Sequence, residues 1–142
     1  MPKVYRVMKK DAVDGLPVVG STTSSELGVR PGVDVAVDLA GDVVLDSGGM
    51  SVVPGWRVLE AERIPRRLRT IFEGAAGANT AWCFTLGVGL FERGQVATGL
   101  ELIPDAGTAP THGVIAPGQP CSLAQYQSDL HNTRAAWQID EA

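Results

Sequence analysis

The sequence is poor in the residue types that announce most small-domain chemistries. Cysteine occurs twice, at Cys83 and Cys121, too sparsely for a disulfide framework, so a reduced, cytoplasmic setting is expected. Histidine also occurs twice, at His112 and His131, and without Cys-x-x-Cys or His-x-x-x-His spacing no metal site is expected. His131 falls on the polar side of a predicted helix and is expected to be exposed. Positive charge is in the minority, with 12 basic against 16 acidic residues, a net charge of -4 and a pI near 5.1. That balance offers no footing for nucleic acid or an anionic membrane. The one basic cluster, Arg63 to Arg69, reads as a solvated helix face. No apolar run approaches the ~18 residues of a membrane span, and none follows the basic start as a signal peptide would require. The phosphate-cradling P-loop, the dinucleotide glycine fingerprint and the Gly-x-Ser-x-Gly elbow are all absent.

What is present is glycine and proline, 17 and 9 residues in a chain of 142 that is 44% hydrophobic. Many turns between short apolar runs imply one α+β domain, residues 1–142, built on a split, mostly antiparallel sheet of about six strands. Strands are expected at Lys3–Met8, Val33–Val37, Thr80–Leu86, Val96–Ile103 and Thr111–Ile115. The runs Val43–Leu45 and Met50–Val53 suggest a hairpin or a bent strand pair. Residues Arg57 to Phe72 suggest a helical turn, a break at Pro65 and a short helix. Ser122-Leu123-Ala124-Gln125 has the form of a capping box opening a C-terminal helix, with Leu123, Tyr126, Leu130, Thr133 and Trp137 on its buried stripe.

The residues with the most chemical potential lie at three places. In Asp46-Ser47-Gly48-Gly49-Met50-Ser51-Val52, paired glycines lead into a serine, a turn suited to holding a ligand against backbone. Tyr5 and Arg6 stand on a strand, where a guanidinium is suited to a diphosphate and an aromatic ring to stacking on a base. His112 stands between Thr111 and Gly113 at a strand start, where its ring can point into a cleft. Cys83 sits in an apolar strand and reads as an inert thiol. Cys121 precedes a helix start, which lowers a thiol pKa where the dipole acts alone.

At Val4-Tyr5-Arg6, Gly48-Gly49-Met50-Ser51-Val52 and Thr111-His112-Gly113-Val114-Ile115-Ala116-Pro117 the chain resembles small bacterial type VI secretion effector toxins of ADP-ribosyltransferase-like fold. The resemblance implies a split sheet of that type, an NAD-binding cleft near Ser51 with Gly48 and Gly49 forming its turn, and a cognate immunity or antitoxin protein. Strand position and chemistry add Arg6 for the diphosphate, His112 for a ribose hydroxyl or the acceptor, and Tyr5 or Trp56 for stacking on nicotinamide. Met50 stands where the family has threonine. The only Glu-x-Glu, Glu60-Ala61-Glu62, lies outside the place that transferases modifying arginine require. Two functions follow as expectations: a toxin that binds or consumes NAD, or a noncatalytic protein-binding module of the same fold paired with its immunity protein.

Overall fold

The computed structural model describes residues 1–142. Seven strands form two antiparallel sheets, and one α-helix accompanies them. β1 (Val4–Lys9), β3 (Ala81–Leu86) and β7 (Gln138–Ile139) make a three-stranded sheet in the order β1-β3-β7. β2 (Met50–Val52), β4 (Gly94–Ala97), β5 (Leu100–Pro104) and β6 (Gly113–Pro117) make a four-stranded sheet in the order β2-β6-β5-β4. The sheets meet where Tyr5 and Val53 exchange both backbone hydrogen bonds, at 2.8 and 2.9 Å. This agrees with the α+β class and with a split, antiparallel sheet followed by a C-terminal helix.

Alternation along β1 sets up two cores. Val4, Arg6 and Met8 face a main cluster of 17 buried residues that includes Phe84, Tyr126, Leu130 and Trp137. Tyr5 and Val7 face a second cluster of five, built on Trp56, Ile64, Leu68, Ala75 and Cys83. Residues two apart share a face in a strand, so one six-residue strand serves both hydrophobic clusters. Each large aliphatic side chain fully buried in them contributes about 1.5–3 kcal/mol.

The helix α1 runs from Leu123 to His131, with the Ser122 hydroxyl accepting from the Gln125 N–H at 3.1 Å. The Gln125 side chain turns to Asp129 (2.8 Å) instead of completing the capping box. Tyr126 and Leu130 are buried as the stripe requires, with Thr133 and Trp137 buried just beyond the helix. His131 departs from expectation: it is half-buried, and its Nε2 lies inside without a hydrogen-bond partner.

Four local expectations are corrected. Val33–Val37 forms no strand; left-handed Gly32 and Gly41, with the Arg30–Asp34 pair at 2.9 Å, fold it into turns bearing single bridges. The runs before and after Gly48-Gly49 do not pair with each other, because Val43 bridges Val37 whereas Met50–Val52 pairs with β6. The segment expected to hold a short helix forms three 3-10 turns, Trp56–Val58, Ala61–Arg63 and Arg66–Thr70. Pro54 and Pro65 interrupt the run needed to nucleate a longer helix. Val96–Ile103 is a hairpin, β4 and β5, turning at left-handed Gly99.

Candidate functional site

The glycine turn is shaped by the protein's own backbone. Gly48 has φ +124°, and a Cβ there would collide with the Asp34 carbonyl. A Cβ on Gly49 would stand 2.6 Å from the Ile115 carbonyl and 3.1 Å from the Tyr126 hydroxyl. Ser47 accepts from the Ala36 N–H at 3.0 Å and donates to the Val44 carbonyl. The Tyr126 hydroxyl accepts from the Met50 N–H at 3.1 Å and donates to the Ile115 carbonyl. Burial raises the Tyr126 pKa well above its usual value, keeping the donor protonated. The close approach that the two glycines permit is therefore taken by Asp34, Ile115 and Tyr126.

Arg6 and Ser51, 45 residues apart in sequence, meet at the junction of the sheets, where Arg6 Nη1 donates to the Ser51 carbonyl at 2.7 Å. Arg6 Nη2 donates to the carbonyls of Ser24 and Glu26, both at 2.9 Å, and Nε reaches Glu26 at 3.3 Å. Four of the five guanidinium N–H groups are thus engaged, and the residue is 6% exposed. Desolvation lowers its pKa to about 10, so it stays charged at neutral pH. The segment supplying those carbonyls is itself tied down, because Glu26 Oε1 accepts from the N–H and hydroxyl of both Thr22 and Thr23.

Tyr5 and Trp56 share the second cluster, on the face of β1 opposite Arg6. Tyr5 donates to Asp140 Oδ2 at 2.6 Å, and Lys3 Nζ lies 5.4 Å from its ring centroid. Trp56 is 2% exposed, edge-on to Phe72 at 6.1 Å and capped by the Arg57 guanidinium, so no open ring face remains for nicotinamide. His112 is half-exposed with Nδ1 3.4 Å from Asp105 Oδ2. Ser51 is half-buried opposite Val114 in the β2–β6 ladder. Both thiols are free. Burial, then the nearby Glu141 carboxylate, pushes Cys83 up to about 12. Burial and then Asp129 also raise Cys121, so it gains no thiolate character from the helix start.

The largest cleft lies on the outer face of the four-stranded sheet. It encloses about 550 Å³ and is lined by Gly48 but by none of the other expected site residues. Ile103 and Val114 form its floor and exposed Val44 and Leu45 one wall. Asp46, Glu101 and Asp105 stand in its lining with one cation, Arg93, which is already bonded to Glu101 at 2.9 Å. Asp46 has φ +60°, a left-handed conformation that aspartate tolerates better than most residues. The readable signal for this site was the alternation Leu100-Glu101-Leu102-Ile103, which buries the leucines and turns Glu101 and Ile103 outward. Exposure of Val44, Leu45 and Asp46 had no such signature.

NAD, implied by the resemblance, needs an accessible cation or a ring of free N–H donors for its diphosphate. Arg6 is enclosed with its donors engaged, and the outer cleft carries an excess of carboxylates. The residues in this arrangement do not fit the cofactor. No group of three or more His, Cys, Asp or Glu is placed to hold a metal, and no helix is long and apolar enough to cross a membrane. The chain matches no protein-family model, no curated protein and no solved structure.

Proposed function

We propose that this chain is a noncatalytic protein-binding module of the ADP-ribosyltransferase-like toxin class, pairing with an immunity or antitoxin protein. The observation that carries this reading is the commitment of Arg6 to the carbonyls of Ser24, Glu26 and Ser51. The cation that NAD chemistry would use is spent on holding the two sheets and an overlying loop together. The absent Glu-x-Glu at the expected place supports the same reading.

A second reading, a toxin acting on NAD in the bacterial cytoplasm, is favoured by a separate observation. The resemblance points to Ser51 and strand chemistry adds Arg6, and the two residues touch at the sheet junction. This reading requires the Ser24–Glu26 segment to leave Arg6. Inducible expression in a bacterial cytoplasm, with growth and NAD followed together, separates the two. The binding module leaves NAD unchanged and forms a stable complex when co-expressed with the product of the adjacent gene. A fall in NAD that Ser51→Ala abolishes would overturn it in favour of the second.

A further inference from the structure

We infer that the outer groove takes an extended, basic and apolar segment of the partner protein. The inference rests on the binding-module reading and assigns that binding a place and a chemistry. The groove joins exposed aliphatic surface with carboxylates in one concave site. Its floor and wall present Ile103, Val114, Val44 and Leu45, the last two 42% and 49% exposed. Its lining holds carboxylates at Asp46, Glu101 and Asp105, with a single cation that Glu101 already neutralises. Asp46 accepts no hydrogen bond from the chain's side chains, and Asp105 is answered only by His112 at 3.4 Å. Two carboxylates beside exposed aliphatic groups thus lack a strong cationic partner within the chain.

Charge complementarity selects the occupant. An anionic segment meets like charge, whereas lysine or arginine side chains reach Asp46 and Asp105 and lay their methylene stems along Val44 and Leu45. A volume of about 550 Å³ falls within the ~300–1,000 Å³ of specific binding clefts, enough for a few residues of extended chain. The groove lies on a pleated face, where alternate side chains of an extended segment point inward. A segment alternating basic and aliphatic residues therefore turns its aliphatic side chains to the floor, while the long stems of its basic residues bend back to the carboxylates at the rim.

The test uses the full chain and a fluorescein-labelled hexapeptide of alternating lysine and valine, followed by fluorescence anisotropy. Controls replace every lysine by glutamate, or every valine by serine. The lysine–valine peptide is expected to bind, the glutamate–valine peptide not to bind, and the lysine–serine peptide to bind roughly tenfold more weakly. The Asp46→Asn/Asp105→Asn double variant is expected to weaken lysine–valine binding by about tenfold while keeping the circular dichroism of the parent. Asparagine tolerates the left-handed backbone at position 46, which protects the fold in this comparison. The inference is overturned if the double variant binds like the parent, if lysine–serine binds as well as lysine–valine, or if no peptide binds. Co-expression with the adjacent gene product separates the two levels. A complex with the partner that survives in the double variant sinks the groove assignment alone, and no complex with either chain sinks the pairing itself.

Discussion

At the β1–β2 junction a cation is 6% exposed and held by three carbonyls, whereas on the outer groove carboxylates stand in solvent beside exposed valine and leucine. The two regions adjoin in sequence at one stretch, where Gly48 lines the groove and Ser51, three residues on, meets Arg6. One is closed because alternation along β1 turns Arg6 inward with Val4 and Met8, leaving burial to be compensated by backbone acceptors. The other is open because alternation along β5 and β6 turns Glu101, Ile103 and Val114 away from the core. A residue type names a chemistry; the face it occupies decides whether a ligand can reach it.

The largest effect is expected at the closed region. Arg6→Ala leaves the carbonyls of Ser24, Glu26 and Ser51 without their donors and should cost on the order of 3 kcal/mol. Urea unfolding followed by tryptophan fluorescence measures it. A loss below about 1 kcal/mol, the range of surface substitutions and weak contacts, would break the comparison by showing that Arg6 is free to bind something else.

Tyr126→Phe comes next. It removes the hydroxyl that bridges Met50 and Ile115 and should cost about 1–2 kcal/mol, with the buried Met50 N–H left unpaired. A matching loss in urea unfolding sharpens the view that the glycine turn is closed by the protein itself, and a neutral result would show space above the turn that water or a ligand can use.

The smallest effect is a pH dependence at His131, at the end of α1. Burial lowers the His131 pKa from its ordinary 6.5, so the unfolded chain takes up a proton at a higher pH than the folded one. Stability from this group is therefore full above 6.5 and falls as pH drops from 6.5 toward the lowered folded value. The carboxylates whose folded pKa values are depressed, Asp14, Glu26, Asp34 and Asp140, lose their contributions only at lower pH. Unfolding midpoints at pH 7.5 and 5.5 should differ, and His131→Gln should flatten that difference. An unchanged slope would place His131 in solvent.

Much of the fold was legible because it follows from local pattern. The β1 and β3 strands, the Ser122 cap and the Tyr126–Leu130 stripe each rest on periodicity or a capping residue, and both survive any tertiary context that buries one face. The candidate site was less legible. Arg6 and Ser51 meet at the sheet junction, yet nothing local indicated that Ser24 and Glu26 would close over Arg6. The 3-10 turns between Trp56 and Thr70 and the bridges around Val35 depend on prolines and left-handed glycines acting with distant partners, and hydrophobic spacing does not report that.

The sequence by itself determined the α+β class, the antiparallel strands, the capped helix and the identity of the residues with chemical potential, because backbone propensity and side-chain alternation act within a few residues. Tertiary structure alone decided that Gly48 and Gly49 yield to Asp34 and Ile115, that Arg6 is a clamp, and that the accessible cleft is acidic and lies on the outer face. Those outcomes depend on which distant backbone arrives above each side chain, and that is fixed only when the two sheets and their connecting loop pack together.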